Sequence, residues 1–433
     1  MAQFKLKSGM LLGVATAATQ IEGGDENNNW YDWYRQGKIL DGSSPARAND
    51  HYVRWREDLQ LMKDLNIQVY RFGVEWSRIE PEHGRFDETV LAHYREELLL
   101  LREMGIAPLL TLHHFTNPMW FEKMGGFENK DSVRIFLRFV DKILQTVGDL
   151  VAEYITINEP NVYATSSYAY GAWPPGKKSY SAAMRVMSCL AVCHIKAYEL
   201  IHRQRTAMGF NDSKVSFANH VRIFAPQNPR NPWHRSAARL SHRLFQGSLT
   251  RAMCTGRFAW PLFSGGQVKA GKYYDFHGIN YYSRSTVSGI GDGVRSGVPV
   301  NDLGWEIYPQ GIVDCAREMY KLYPAPIYIT ENGTCDNADK FRSRYIFEHL
   351  QALCASDLPV ERYYHWCFCD NFEWLEGESA RFGLVHVDFT SQKRTIKDSG
   401  RFFAEIIAAG GVSEALFEQY ARQAYHLADG GEA

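Results

Sequence analysis

The sequence lacks a surplus of either charge: 48 Lys and Arg stand against 49 Asp and Glu in 433 residues. A near-neutral chain offers no general attraction to nucleic acid or to an anionic bilayer, so neither is expected as a partner. No apolar run reaches the length of a membrane-spanning helix. Cysteine is present but thinly spread, at positions 189, 193, 254, 315, 335, 354, 367 and 369. That scatter is no disulfide framework. Cys189 and Cys193 sit four apart on a helical pattern, and Cys367 and Cys369 two apart on a strand pattern; without a His/Cys cluster to complete either pair, core thiols are the reading and no metal is expected. Internal repeats, low-complexity tracts and a dividing linker are also missing. The expectation is one catalytic domain over 1–433, without a cofactor, whose last ~25 residues form a helix packed outside.

Aromatic residues are abundant, with 11 Trp and 24 Tyr. Rings flanked by polar groups suit the flat faces of sugars, although a large core also uses Trp. Eight β-rich runs alternate with helical stretches, at 10–17, 67–76, 106–114, 153–160, 214–221, 275–282, 326–333 and 362–370. Apolar, β-branched runs between helices describe a parallel sheet, and eight of them describe a closed (β/α)8 barrel, the TIM-barrel form of the α/β class. Trp55, Leu59, Met62 and Leu65 recur at helical spacing, as on an outer helix; a second helix over 131–144 has Asp131 or Ser132 as N-cap. Segments 222–235 and 283–304, rich in Pro, Gly, Asn and Ser, read as long rim loops.

The first run poses a choice. Lys5 and Lys7 before GMLLGVATA resemble a secretory leader, but Gln20 and Glu22 follow directly, where a first barrel strand would deliver polar groups to the mouth. The residues alone leave this choice open. Polar residues collect after seven of the eight runs: Gln20 and Glu22; Arg71 and Glu75; His113 and His114; Asn158 and Glu159; Asn280 and Tyr282; Glu331 and Asn332; Asp370, Asn371 and Glu373. The carboxyl ends of barrel strands are where chemistry is done in this architecture. Cleaving a glycosidic bond takes two carboxyl groups, one to protonate the leaving oxygen and one to attack or screen the anomeric carbon. Glu159 and Glu331, on strands roughly across the mouth from each other, qualify. A single strand-end Glu is more often a solvated or ion-paired charge; two that face each other, each beside an Asn, favour catalysis. Arg71 reads as a structural ion-pair residue or as a partner beside Glu331 that keeps it ionised, His113 faces away from the mouth, and Trp366 and Trp374 serve as core or as sugar platforms.

The motifs TINEP (156–160), YITENG (328–333) and DNFEW (370–374) with RFGLVHVD (381–388) resemble glycoside hydrolase family 1, the retaining β-glycosidases. ATAATQIEG (15–23), RFGVEWSRI (71–79), TLHHFTNP (111–118), GINYYS (278–283) and LGWEIYPQG (303–311) fit the same family in order, from about residue 10 to about 405. The resemblance implies a β-glucosidase acting on small β-glycosides or short oligosaccharides, with self-association left open; because it makes Gln20 useful only if the preceding segment stays attached, it also implies a first barrel strand there and a cytoplasmic location. It implies Glu159 as acid/base, Glu331 as nucleophile, and Arg71 and Tyr282 as the groups that orient and ionise Glu331. Asn158 would take the sugar 2-hydroxyl. Gln20, His114, Glu373 and Trp374 would grip the outer hydroxyls over the Trp366 platform, with Asn280 and Phe382 completing the pocket. Trp305 and Trp173, in the loop YAYGAWPPG, would line the aglycone side. Two departures stand out: Phe115 where the family usually has Trp, and Glu378 where Tyr is common. Alternatives with the same residues are a transglycosylase, a 6-phospho-β-glycosidase, which Glu373 disfavours by repelling phosphate, and a non-enzymatic sugar-binding barrel.

Overall fold

The computed structural model describes residues 3–289 and 291–428. Eight parallel strands close a barrel in strict chain order: β1 Leu11–Ala15, β2 Val69–Gly73, β3 Ala107–Thr111, β4 Glu153–Asn158, β5 Lys214–His220, β6 His277–Asn280, β7 Ile327–Asn332 and β8 Val360–Trp366. β8 pairs back onto β1, Tyr364 opposite Gly13. The leader-like segment is therefore a wall of the barrel. The strands are almost entirely buried, which is why they read as continuous apolar runs rather than alternating ones.

Helices cover the barrel: α1 His51–Asp64, α2 Glu88–Met104, α3 Ser132–Val147, α4 Tyr180–Ala207, α5 Ser248–Thr255, α6 Gln310–Leu322, α7 Arg342–Ala355 and α8 Asp398–Ala409. In α3 the buried positions Ile135, Phe136, Phe139, Val140, Ile143 and Leu144 fall on one stripe, as an amphipathic outer helix requires. Asp131 is its N-cap, but the side chain makes no capping hydrogen bond. α2 has the complete device: Asp87 accepts from the backbone of Thr89 and Val90, and Gly105 closes the helix in the left-handed region. No helix among the described residues is long and apolar enough to cross a membrane. All eight cysteines are unpaired.

Three expectations are corrected here. Most of the sequence runs overshoot the strands at their C-terminal ends, 67–76 against Val69–Gly73 and 362–370 against Val360–Trp366, because the chain leaves the barrel to bring side chains over the mouth while its composition stays apolar. The two rim segments are not plain loops. Ile223–Pro226 pairs in parallel with Arg284–Val287, which pairs with Asp292–Gly293, making a three-stranded sheet above one side of the mouth; a helix Pro232–His242 follows. The C-terminal tail holds only a short helix, Glu414–Tyr420; beyond it His426–Leu427 forms a strand against Pro299–Val300, and residues 429–433 lie outside the described part.

The β8 end is fixed by charge. Asp370 is fully buried and accepts from Lys397 Nζ at 2.7 Å, Arg381 at 3.1 Å and the backbone of Gly383 at 3.0 Å. Although burial opposes ionisation, hydrogen bonds from His386 and Lys397 together with the charges of Lys397 and Arg342 hold its carboxyl below the usual range. A carboxylate lowered in the folded state contributes stability above its unfolded value, and that contribution is lost as pH falls through the folded value. Asp370→Asn strands the buried Lys397 ammonium and is expected to cost about 3–5 kcal/mol. Thermal melts should show the deficit at neutral pH narrowing as the solution is acidified.

Candidate active site

Glu331 and Glu159 lie at the ends of β7 and at the exit of β4, both nearly excluded from solvent. Glu331 Oε1 accepts from Arg71 Nη1 at 2.5 Å and Oε2 from the Tyr282 hydroxyl at 2.6 Å. Arg71 reaches across from β2, fully buried, and its other donors meet Asn158 Oδ1 at 2.6 Å and Thr111 Oγ1 at 3.1 Å. Glu159 Oε1 accepts from Asn280 Nδ2 at 2.9 Å, and the same amide group meets Asn158 Oδ1 at 3.0 Å. One chain of hydrogen bonds thus runs Glu331, Arg71, Asn158, Asn280, Glu159; the first four stand on barrel strands and Glu159 directly follows one. Thr330 locks Asn280 from below at 2.6 Å.

Local backbone explains the positions. Glu159 has φ 41°, ψ 57°, left-handed for a non-glycine residue, and Pro160 starts a short helix immediately after it. Its N–H donates to Ala218 O of β5 at 2.7 Å and its C=O accepts from Tyr163. Such a conformation costs on the order of 1–3 kcal/mol and persists only where neighbours enforce it, a pattern concentrated at functional sites. At β7, Gly333 must be glycine: a Cβ there would fall 1.8 Å from Trp366 O, so the absence of a side chain lets β7 and β8 end side by side.

Electrostatically the two glutamates are not independent. Burial raises the Glu331 carboxyl to about 7, the nearby Glu159 charge adds to the rise, and the Arg71 charge with the Tyr282 hydrogen bond opposes it. Burial also raises Glu373, to about 8, against hydrogen bonds from Trp366 and Gln20. His114 is kept neutral by burial and by the Arg71 charge. Since the Asn158 amide N–H must donate to His114 Nε2 at 2.9 Å, the His114 proton is on Nδ1, where it has no partner in the protein. Gln20 Nε2 donates to Asn371, Phe372 O and Glu373, and its Oε1 is likewise buried and unpartnered.

The outer wall is aromatic. His114 stacks on Trp374 with centroids 5.8 Å apart and lies 5.8 Å from Trp366. Trp305 meets Tyr282 and Phe382 at 5.9 and 6.0 Å. Trp173 packs against Phe115, Trp30 and Trp374 at 4.9, 5.3 and 6.2 Å, so the smaller ring at Phe115 sits within a cluster of three indoles.

The family model described as "Glycosyl hydrolase family 1" matches residues 2–412. The chain belongs to glycosyl hydrolase family 1. β-Glucosidase A of Thermotoga maritima is 30% identical, over 95% of this chain and 99% of that protein. Among solved structures, a β-glycosidase from Pyrococcus horikoshii superposes with TM-score 0.88 at 32% identity, covering 97% of this chain and 98% of the other. The T. maritima β-glucosidase in complex with glucoimidazole gives 0.87 at 29%, covering 94% and 100%.

Within this family 1 barrel not every strand-end polar residue joins the site. Glu22 accepts from Tyr94 and Arg78, and Glu75 from Thr19 and Ser77, in a network behind β1 and β2. Asn332 is spent on Tyr281 O, Tyr345 and Tyr363, Asp370 on the cations named above, and His113 on Asn117 at 2.9 Å amid Phe127, Phe136 and Tyr163. Glu378 is half-buried beside Asp41, whose carboxylate accepts from the Glu378 backbone; burial, then Asp41, raises its carboxyl. One contact went unread in the sequence: His220, ending β5, whose Nδ1 lies 3.2 Å from Glu159 Oε1.

Proposed function

We propose that the protein is a retaining β-glucosidase in which Glu331 attacks the anomeric carbon while Glu159 protonates the departing oxygen. Glu159 then deprotonates the water that releases the sugar. The observation that carries this reading is the asymmetry of the donors on two coupled carboxylates. Glu331 accepts from a guanidinium and a phenol, which favour its charged form, whereas Glu159 accepts from the neutral amide of Asn280. Glu331 is thereby set up as the nucleophile, and Glu159, with no cation on it, is left for proton donation. Once Glu331 becomes an ester its charge is gone, and Glu159 is free to act as base.

The glycone would rest on Trp366, with Gln20, His114, Asn158, Glu373 and Trp374 around its hydroxyls. An unpaired acceptor at Gln20 Oε1 and an unpaired donor at His114 Nδ1 are what a ring of hydroxyl groups, each donor and acceptor at once, would complete. Trp305 and the short rim sheet would border the aglycone, and a reducing, cytoplasmic setting fits the eight free thiols. The relatives named β-glucosidase favour glucose as the sugar. A 6-phosphate is disfavoured because Glu373, held by Gln20 at 3.3 Å, puts a carboxyl group rather than a cation among the outer hydroxyls.

Nitrophenyl β-glucoside should be hydrolysed and its 6-phosphate should not, and proton NMR of the nascent sugar should show the β-anomer first. An initial α-anomer would exclude the double displacement.

A further inference from the structure

We propose that His220 and Arg222 are positioning residues that hold Glu159 in a single orientation for proton donation and link it to the aglycone rim. His220 Nδ1 lies 3.2 Å from Glu159 Oε1, and its Nε2 lies 3.1 Å from Arg222 Nη2. A guanidinium has donors and no acceptor. Nε2 must therefore carry the lone pair, and the ring proton must sit on Nδ1, aimed at Glu159. Arg222 thus selects the tautomer, and a second proton on the ring would have to face a guanidinium. Burial is the main force keeping His220 uncharged; Arg222 acts in the same direction and the Glu159 charge opposes both.

The ring is fixed by its neighbours. It stacks on Tyr282, centroids 5.7 Å apart and 16° from parallel, and meets the edge of Phe245 at 5.9 Å. At its other end Arg222 Nη1 reaches Ser285 Oγ at 3.2 Å and Asp292 Oδ2 at 3.3 Å on the rim sheet. His220, Arg222, Ser285, Asp292 and Trp305 line a cavity of about 280 Å³ that opens beside Tyr282, where a departing group would lie. The charged and titratable groups facing Glu159 are then His220 from β5, Arg222 and Asp292 beyond it, Tyr282 after β6, Glu331 from β7, and Arg71 from β2 by way of Asn158.

The inference rests on Glu159 being the proton donor, and the test separates the two claims. Kinetics of His220→Phe, which keeps a ring between Tyr282 and Phe245, are compared on phenyl and 2,4-dinitrophenyl β-glucosides, the second needing no protonation to leave. On phenyl glucoside kcat/KM should fall roughly tenfold or more, within the range of an acid-catalytic contribution, and the alkaline limb of its pH profile should move. On the dinitrophenyl substrate the loss should stay below about threefold. His220→Gln, whose amide can donate to Glu159 and accept from Arg222, should restore most of the loss. Equal loss on both substrates, an unmoved limb, or no loss would overturn the proposal. Should H220F not fold, Arg222→Met carries the test, because it opens both tautomers: the same substrate split supports the link and its absence refutes it. Glu159→Ala should show the split whatever His220 does; if it does not, the assignment of Glu159 fails rather than the relay.

Discussion

Glu331→Gly is expected to lower kcat by a factor on the order of 10⁴ or more, the scale on which loss of a nucleophile acts, and to lower the melting temperature as well, since the buried Arg71 guanidinium loses its partner. The substitution removes the attacking oxygen but leaves the cavity, the Glu159 side and the aromatic wall in place. It also frees Arg71 and Tyr282, whose donors would otherwise hold the two carboxylate oxygens. A small anion fits that vacancy. Azide or formate should therefore restore part of the activity on a dinitrophenyl glucoside, and azide should yield a glucosyl azide of α configuration. Full activity in Glu331→Gln, or rescue giving the β-azide, would remove Glu331 from the role.

Arg71→Met is expected to be costly in two measurable ways. Arg71 is fully buried and supplies donors to Glu331, Asn158, Thr111 and Thr330 O. Breaking a buried pair from one side costs about 3–5 kcal/mol, since the remaining charge has no compensation. The sign of the pH effect follows from Glu331, already raised to about 7 with Arg71 opposing the rise. Without Arg71 the rise is larger. A carboxylate raised in the folded state withdraws stability as pH climbs from its unfolded value through its folded one, so the deficit should be smallest in acid, where Glu331 is neutral. The nucleophile must be ionised, so the acid limb of kcat/KM should move to more alkaline pH. A variant as stable as the native protein with an unmoved limb would contradict this account of how Glu331 is held.

The barrel was legible because its strands are buried on both faces, which turns each into a compact apolar run, and because residues such as Asn158, Glu159 and Glu331 end those runs. What hid from the sequence was geometry decided by distant partners. Ile223–Pro226 is four residues long and becomes a strand only through pairing with Arg284–Val287, some sixty positions away, so Pro, Gly and Asn made both segments look like loops. Glu22 and Glu75 follow strands just as Glu159 does, yet the short helices Ala18–Ile21 and Trp76–Ile79 accompany their turn away from the mouth, toward Tyr94, Arg78 and Ser77. His220 could have been found: it ends the one strand to which no polar mouth residue had been assigned, and a lone imidazole at such a place reads as packing until the oxygen beside it is known.

The central claim is that Glu331 forms a covalent bond to the sugar while Glu159 supplies and recovers the proton. The most direct measurement is mass spectrometry of peptides after inactivation by a 2-deoxy-2-fluoro β-glucoside with a good leaving group, which slows release of the intermediate. One fluoroglucosyl group on the peptide containing Thr330, Glu331 and Asn332, and on Glu331 within it, is the predicted result. A label on any other residue, or turnover of the reagent with no covalent species detectable, would contradict it.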